Sequence, residues 1–135
     1  MAYRILIPVG GENERAEKQA EYVTQLPSAA EELSVTLVHA LTGSEKDVPA
    51  QMQQPDRSEA VRAAKRVLEN AGIDVHTQGV SSPPAKGIVL LAEEGDFDEI
   101  VISGKKRSPT QKAILGSVTQ SVILEADIPV TVMSA

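Results

Sequence analysis

The chain has 135 residues, which suits a single domain spanning 1–135, and it is acidic, with a net charge of −6. It contains no cysteine, so disulfides, zinc–thiolate sites and thiol catalysis are excluded. The net negative charge and the low aromatic content argue against a nucleic-acid partner. No run approaches the ~20 apolar residues that a membrane-spanning helix needs, so we expect a cytoplasmic protein without a membrane partner.

The N-terminal third of the chain predicts a strand, a helix and a second strand. Arg4–Val9 is a short apolar run that stops at two glycines, which is typical of a strand buried on both faces. Ala16, Ala20 and Val23 then recur at helical spacing, and Pro27 ends that helix. The second strand is predicted over Leu33–Leu41.

The middle of the chain predicts a loop, a helix and a third strand. Residues 42–55 are polar and are predicted to form the long loop. Ser58 is placed to cap the following helix, and Gly72 stands where its C-terminal cap belongs. Ile73–Val80 alternates apolar and polar residues, which indicates a strand near a sheet edge.

The C-terminal part predicts two more helix–strand pairs. Ser82 followed by Pro83 indicates a helix start, with a capping hydroxyl and then a proline in the first turn, and Gly95 ends this helix. The remaining elements are a strand at Glu99–Ser103, a helix with Val118, Val122 and Ala126 on its apolar face, and a strand at Pro129–Met133.

This alternation predicts an α/β fold with an open, doubly wound, five-stranded parallel sheet and helices on both faces. In such sheets ligands bind beyond the C-terminal ends of the strands. The loops at those ends are Gly10–Asn13, Ala40–Gly43, Ser81–Ser82 and Ser103–Ser117.

The last of these loops carries the positive charge of the chain. No acidic residue lies between Ile100 and Leu124, and Gly104 allows a sharp turn after the fourth strand. The four cations there, which give a local charge of +4, are Lys105, Lys106, Arg107 and Lys112. They could close over a polyphosphate, but a solvated surface loop fits the same residues.

The start of the last helix is a candidate anion-binding turn. The amides of Gly116, Ser117 and Val118 would point at one spot, and the helix dipole adds partial positive charge there. A simple helix boundary, with Ser117 as a cap, explains these residues equally well. The pattern alone therefore leaves both interpretations open.

Over almost its whole length the sequence resembles the universal stress protein family. The matching stretches are ILIPVGG, VTLVHA, SPPAKGIVLLAEEGDFDEIVISG and, above all, GKKRSPTQKAILGSVTQSVILEADIPVTVM. The resemblance implies the strand order 3-2-1-4-5, an adenine-nucleotide alpha-hydrolase-like fold, and a role as a stress-response regulatory module. That order would place the Gly10 and Gly104 loops opposite each other across a crevice.

The nucleotide motif of the family is only partly matched. Members that bind ATP carry a glycine, two residues, a glycine, nine residues, a glycine and then Ser or Thr. Gly104 matches the first glycine, and Gly116 and Ser117 match the last pair. Arg107 takes the place of the middle glycine, and only eight residues separate it from Gly116.

The first strand departs from the family as well. Gly10 stands where the family usually has an Asp, and Ala40 falls at the position that packs on adenine. Each lost polar contact should cost on the order of 1–3 kcal/mol, so we expect ATP or AMP to bind weakly and without a metal. The site implied by the resemblance comprises Pro8, Val9, Gly10, Ala40, Gly104, Arg107, Gly116, Ser117 and Val118.

The fifth strand predicts a homodimer. It would lie at one edge of the sheet and contains no charged residue, so its free N–H and C=O groups invite pairing with a second copy. Members of the family commonly dimerise through this strand. The predicted interface residues are Pro129, Val130 and Val132.

The sequence offers no recognisable catalytic set, and we expect a binding module that is not an enzyme. His39 and His76 have no third ligand at metal spacing, and Ser103 and Ser117 have no evident base. A nucleotide-responsive stress regulator and a dimeric interaction protein that no longer binds nucleotide remain the two hypotheses. A weak nucleotide hydrolase is a third.

Overall fold

The structure is a computed structural model that describes residues 2–39, 58–80, 83–104 and 116–133. Strands and helices alternate along the chain, as the hydrophobic pattern predicts. The elements are β1 Tyr3–Val9, α1 Asn13–Thr24, α2 Ala29–Glu32, β2 Leu33–His39, α3 Glu59–Asn70, β3 Asp74–Gln78, α4 Pro84–Glu94, β4 Glu99–Ser103, α5 Ser117–Glu125 and β5 Val130–Met133.

The five strands form one parallel sheet in the order β3-β2-β1-β4-β5. This confirms both the doubly wound fold and the strand order that the family resemblance implied. β1 lies at the centre of the sheet, and its residues from Ile5 to Val9 are buried. A strand covered on both faces needs apolar side chains on both, which explains the continuous run in its sequence.

Helices cover both faces of the sheet, as predicted. On one face α1 and α3 pack over Ile5, Ile7 and Val9 of β1. On the other face α4 and α5 pack over Leu6 of β1 and over Ile100 and Ile102 of β4. Successive side chains of a strand point to opposite faces, so alternate residues of β1 enter different cores.

Two of the predicted helix caps are confirmed. The Ser58 hydroxyl accepts a hydrogen bond from the Val61 amide at 3.3 Å at the start of α3. Gly72 has a φ of +77° just beyond the end of α3, a backbone conformation that glycine adopts without steric cost.

The predicted start of α4 is wrong by one residue. The helix begins at Pro84, and Pro83 occupies the N-cap without a side-chain capping bond. Both prolines are tolerated because the first amides of a helix have no carbonyl partner within it. Ser82, the expected capping residue, lies outside the described residues.

The remaining differences concern element boundaries. β1 begins at Tyr3 rather than Arg4, and β3 covers Asp74–Gln78 rather than the longer predicted segment. The short helix α2 was not predicted, because four residues are too few to show a helical period. The predicted loop at 42–55 lies outside the described residues.

Within the part of the chain that the structure describes, no helix combines the length and the apolar character that crossing a membrane requires.

Candidate functional site

A crevice opens where the two central strands separate. β1 pairs with β2 along its whole length, to Val9↔His39, but with β4 only at Ile5↔Glu99 and Leu6↔Ile100. Beyond Leu6 the two strands lead to helices on opposite faces, β1 to α1 and β4 to α5. This is the point where the strand order reverses, and ligands of open α/β sheets bind at such points.

Gln19 of α1 lies at the floor of this crevice and is 1% exposed. Its Nε2 donates to the carbonyl oxygen of Pro8 at 2.9 Å and to that of Val101 at 3.1 Å. These carbonyls belong to β1 and β4 beyond their last mutual pair. The side-chain amide of Gln19 therefore donates to two backbone carbonyls at the point where the strands separate.

The crevice contains a cavity of about 440 Å³, within the range of small-molecule sites. The α1 side and the α5 side each contribute half of its described lining. The lining residues are Pro8, Gly10, Gly11, Glu12, Arg15 and Gln19 on one side and Ile102, Ser103, Gly116, Ser117, Val118 and Thr119 on the other.

The α1 side carries a polar row of three residues, Glu12, Arg15 and Gln19, spaced so that they share one helix face. Arg15 Nε lies 3.2 Å from Glu12 Oε2, and the two side chains are 24% and 67% exposed. The Glu12 carboxylate therefore lies beside the Arg15 guanidinium at the cavity. Among the described lining residues, Arg15 is the only lysine or arginine.

The α5 side presents the first turn of a helix. Gly116 is the N-cap with extended backbone and makes no side-chain capping bond, and its carbonyl oxygen accepts from Gln120 N at 3.0 Å. The amides of Ser117, Val118 and Thr119 precede that bond, so they have no acceptor within the helix. The candidate anion-binding turn therefore keeps the predicted Gly116–Val118 and also includes Thr119.

Thr119 fixes this turn to the sheet. It is 5% exposed, and its hydroxyl donates to the Ser103 carbonyl oxygen at 2.9 Å. Because Ser103 is the last residue of β4, this bond ties the start of α5 to the end of β4. The unpaired amides are therefore held in place without a ligand.

The structure brings together five of the nine predicted site residues. Val9 is fully buried in the core, and Gly104 is buried with its amide donating to Met133 O at 2.8 Å. Ala40 and Arg107, like the other cations of the basic loop, lie outside the described residues. The five at the cavity are Pro8, Gly10, Gly116, Ser117 and Val118.

Sequence reasoning did not identify Glu12, Arg15, Gln19 or Thr119 as site residues. A signal for Gln19 did exist, since it lies at helical spacing within the apolar stripe of Ala16 and Val23. A buried polar side chain on an apolar stripe requires hydrogen-bond partners. Nothing in the local pattern marks Arg15, which resembles any charged residue of an exposed helix face.

Gly10 leaves open space at the cavity. A Cβ added there would meet nothing within 4 Å, and its φ does not lie in the left-handed region. A larger side chain is therefore compatible with this backbone. The glycine is not required by packing against the described residues.

No group of three or more metal-ligating side chains occurs among the described residues. His76 lies at the β3 edge of the sheet, where its Nε2 is 2.8 Å from Asp74 Oδ2. The hydrogen bond from His76 lowers the pKa of Asp74. This pair is exposed, so it has the properties of a surface contact and lacks the enclosure of a site.

β5 lies at the other edge of the sheet. It pairs with β4 from Ile100↔Val130 to Ser103↔Met133, and the Pro129 carbonyl accepts from Ile100 N at 3.0 Å. Val132 is 37% exposed, and Leu124 of α5, the helix that precedes β5 in the chain, is 84% exposed. Of the predicted interface residues, Val130 and Val132 thus lie on an edge strand, whereas Pro129 directly precedes it, because the strand begins one residue later than predicted.

A sequence model of the Universal stress protein family matches residues 1–134. A curated universal stress protein of Methanocaldococcus jannaschii is 31% identical over 84 residues, which are 62% of this chain and 49% of the relative. The chain thus matches about half the length of that relative.

Solved structures of the same fold agree with the sequence match. A universal stress protein from Archaeoglobus fulgidus superposes with a TM-score of 0.75 at 29% identity, covering 98% of each chain. A universal stress protein from the same organism in complex with dAMP gives a TM-score of 0.71 at 24% identity, again over 98% of each chain. The second likeness, at its lower identity, shows the fold alone.

Proposed function

Because the chain belongs to the universal stress protein family, we propose that this stress-response module binds an adenine nucleotide, or its phosphate group, weakly in the crevice between α1 and α5. In this proposal it acts as a non-catalytic regulator. The phosphate lies at the start of α5, and the remainder of the ligand extends toward α1.

One observation carries the proposal: two sources of positive potential face the same 440 Å³ cavity from opposite sides. The unpaired amides of Ser117, Val118 and Thr119 lie at the N-terminus of α5, and the Arg15 guanidinium lies on α1. Helix N-termini and arginine both favour phosphate oxygens. A relative of the same fold solved with dAMP makes a nucleoside monophosphate the natural first ligand to test.

Weak binding follows from the α1 side of the cavity. Gly10 offers no side-chain acceptor, and Glu12 places a carboxylate beside Arg15, where it competes with a bound anion. The loss of one polar contact costs on the order of 1–3 kcal/mol, which corresponds to about fivefold to 150-fold in affinity.

Calorimetry with ATP, ADP and AMP on nucleotide-stripped protein tests the proposal. We expect measurable but weak binding, with a dissociation constant above the micromolar range and no requirement for metal. A crystal grown with AMP should then show the phosphate at the amides of Ser117–Thr119. Phosphate density elsewhere, with this turn empty, would refute the assignment of the site.

A gain-of-function variant gives a second test. Gly10→Asp restores the acidic residue usual in the family, and the open space at Gly10 accommodates it. We expect the variant to bind AMP more tightly than wild type, whereas Gly11→Asp, one position further along the same wall, serves as the matched control. Equal affinities for wild type and Gly10→Asp would remove the missing acceptor as the cause of weak binding.

We also propose that the protein forms a homodimer through β5. Support comes from the edge position of the strand and from the exposed side chain of Val132. Antiparallel pairing of two β5 strands about a twofold axis would satisfy the outer N–H and C=O groups of both copies.

A further inference from the structure

We propose that Gln19 is a specificity-determining residue of the crevice, whose side-chain oxygen accepts a hydrogen bond from an N–H or O–H group on the body of the ligand. This rests on the proposed function, since it concerns the same cavity. It assigns to the nucleoside or sugar part of the ligand a contact that the phosphate cannot make.

The orientation of the Gln19 amide is fixed by its surroundings. Its terminal group lies within hydrogen-bond distance of the carbonyl oxygens of Pro8 and Val101, at 2.9 and 3.1 Å. Both partners are acceptors only, so the atom facing them must be the nitrogen, which has two hydrogens to donate. Rotation of the amide by 180° would place three oxygens together.

This orientation leaves one polar atom of Gln19 for a ligand. Both Nε2 hydrogens are used, and no residue in the described ranges donates to Oε1. Gln19 nevertheless lines the cavity. Gln19 is only 1% exposed. Once a ligand displaces water from the cavity, leaving Oε1 without a donor costs free energy, so a ligand that donates a hydrogen bond to Oε1 binds more tightly.

The chemistry of Oε1 defines the ligand group. An amide oxygen accepts hydrogen bonds and cannot donate, so it recognises hydroxyl or amino groups and gives nothing to an ionised phosphate. The phosphate partners are instead the α5 amides and Arg15. The cavity therefore favours a phosphorylated compound whose body carries a donor, such as a nucleoside monophosphate, over inorganic phosphate.

The position of Gln19 also explains why the contact can be selective. Its amide nitrogen is bonded to both strands that flank the gap, β1 through Pro8 and β4 through Val101, so the oxygen cannot rotate toward a badly placed donor. A fixed acceptor discriminates against an analogue that lacks the donor more strongly than a mobile surface residue does. Selectivity should thus depend on one group of the ligand.

The test compares ligands that differ by one donor on wild type and on Gln19→Met. AMP is measured against its 2′-deoxy and 3′-deoxy forms and against purine riboside monophosphate, which lacks the amino group. We expect one of these deletions to weaken binding to wild type by about tenfold, as the loss of one buried hydrogen bond does. The same deletion should change binding to Gln19→Met by less than about twofold, since the variant has no amide oxygen to lose.

The comparison separates recognition from a purely structural role. Gln19→Met removes both bonds to the strand carbonyls and will lower stability, but a structural defect weakens all four ligands in the same proportion. Val23→Ala, which truncates a buried residue of α1 away from the cavity, is the matched destabilised control and should keep the wild-type preference. Inorganic phosphate should bind wild type and Gln19→Met equally.

A measurement on wild type decides the question if Gln19→Met does not fold. The Gln19 carboxamide carbon and nitrogen resonances should shift on saturation with AMP and stay in place with inorganic phosphate. If AMP binds and neither the resonances nor the donor deletions single out Gln19, this inference is wrong while the proposed function stands. If neither AMP nor ATP binds, both are wrong.

Discussion

Replacing Arg15 by glutamine should weaken the binding of phosphate-bearing ligands without unfolding the protein. Arg15 is the only lysine or arginine among the described residues that line the cavity, and its Nε is 3.2 Å from Glu12 Oε2. Arg15 and the residues at the start of α5 line the same cavity, so we expect the guanidinium to contact a phosphate held by the α5 amides.

The magnitude follows from the exposure of the side chain. A hydrogen bond to a charged group contributes about 1.5–3 kcal/mol when it is shielded from solvent. The Arg15 side chain is 24% exposed, so screening reduces this to about 1–2 kcal/mol, or about fivefold to 30-fold in affinity. The loss of the Glu12 pair costs less than about 1 kcal/mol of stability, because Glu12 is 67% exposed.

Calorimetric titration with AMP and with inorganic phosphate, at low and high ionic strength, measures this effect. Lys18→Gln is the matched control, because Lys18 also belongs to α1 and pairs with a glutamate but does not line the cavity. We expect Arg15→Gln to weaken both ligands and Lys18→Gln to weaken neither. The difference should shrink at high salt, where exposed charges are screened. Equal affinities for Arg15→Gln and Lys18→Gln would refute the role of Arg15.

Three further predictions concern assembly, packing and titration. Val132→Lys should convert the dimer into a 14.3 kDa monomer, as measured by light scattering. The control Gln78→Lys, on the opposite edge strand, should leave the protein dimeric. A wild-type protein that is already monomeric would contradict the β5 interface. Gly95→Ala should lower the free energy of unfolding by about 1–3 kcal/mol, because the new Cβ would lie 2.6 Å from Phe97 Cε2. An unchanged midpoint of urea unfolding would show that the Phe97 ring moves aside freely. Partial burial and a hydrogen bond to a glutamate raise the pKa of Tyr3 from 10.0 to about 12, so this residue contributes stability that is complete below pH 10 and lost as the pH rises through 12. Absorbance titration should show one late-ionising tyrosine, which Tyr3→Phe removes.

The local sequence determined the strands and helices because their hydrophobic periods depend only on neighbours along the chain. The buried run of β1, the capped start of α3 at Ser58 and the left-handed Gly72 are all evident from a few consecutive residues. Where several local signals compete, the local sequence does not determine the boundary. Pro83 and Pro84 both suit a helix start, and the helix begins at Pro84, which is buried.

The sequence correctly predicts that α4 ends at Gly95, but the local pattern does not give the full reason for a glycine there. The glycine ends α4 as expected, but its φ is −88°, and the left-handed residue is Asp96. A side chain at Gly95 would meet the Phe97 ring and the Leu91 carbonyl oxygen. The requirement for glycine therefore comes from space, which a one-dimensional pattern does not report.

The sequence by itself determined the fold class, and through the family resemblance also the strand order and the start of α5 as the candidate anion site. Only the tertiary structure revealed the α1 wall of the crevice. Gln19 reaches Val101, which is 82 positions away, because β1 and β4 are adjacent at first and then separate. Arg15 faces the start of α5 for the same reason. Such contacts depend on where the pairing of two strands ends, and neither strand encodes that point in its own residues.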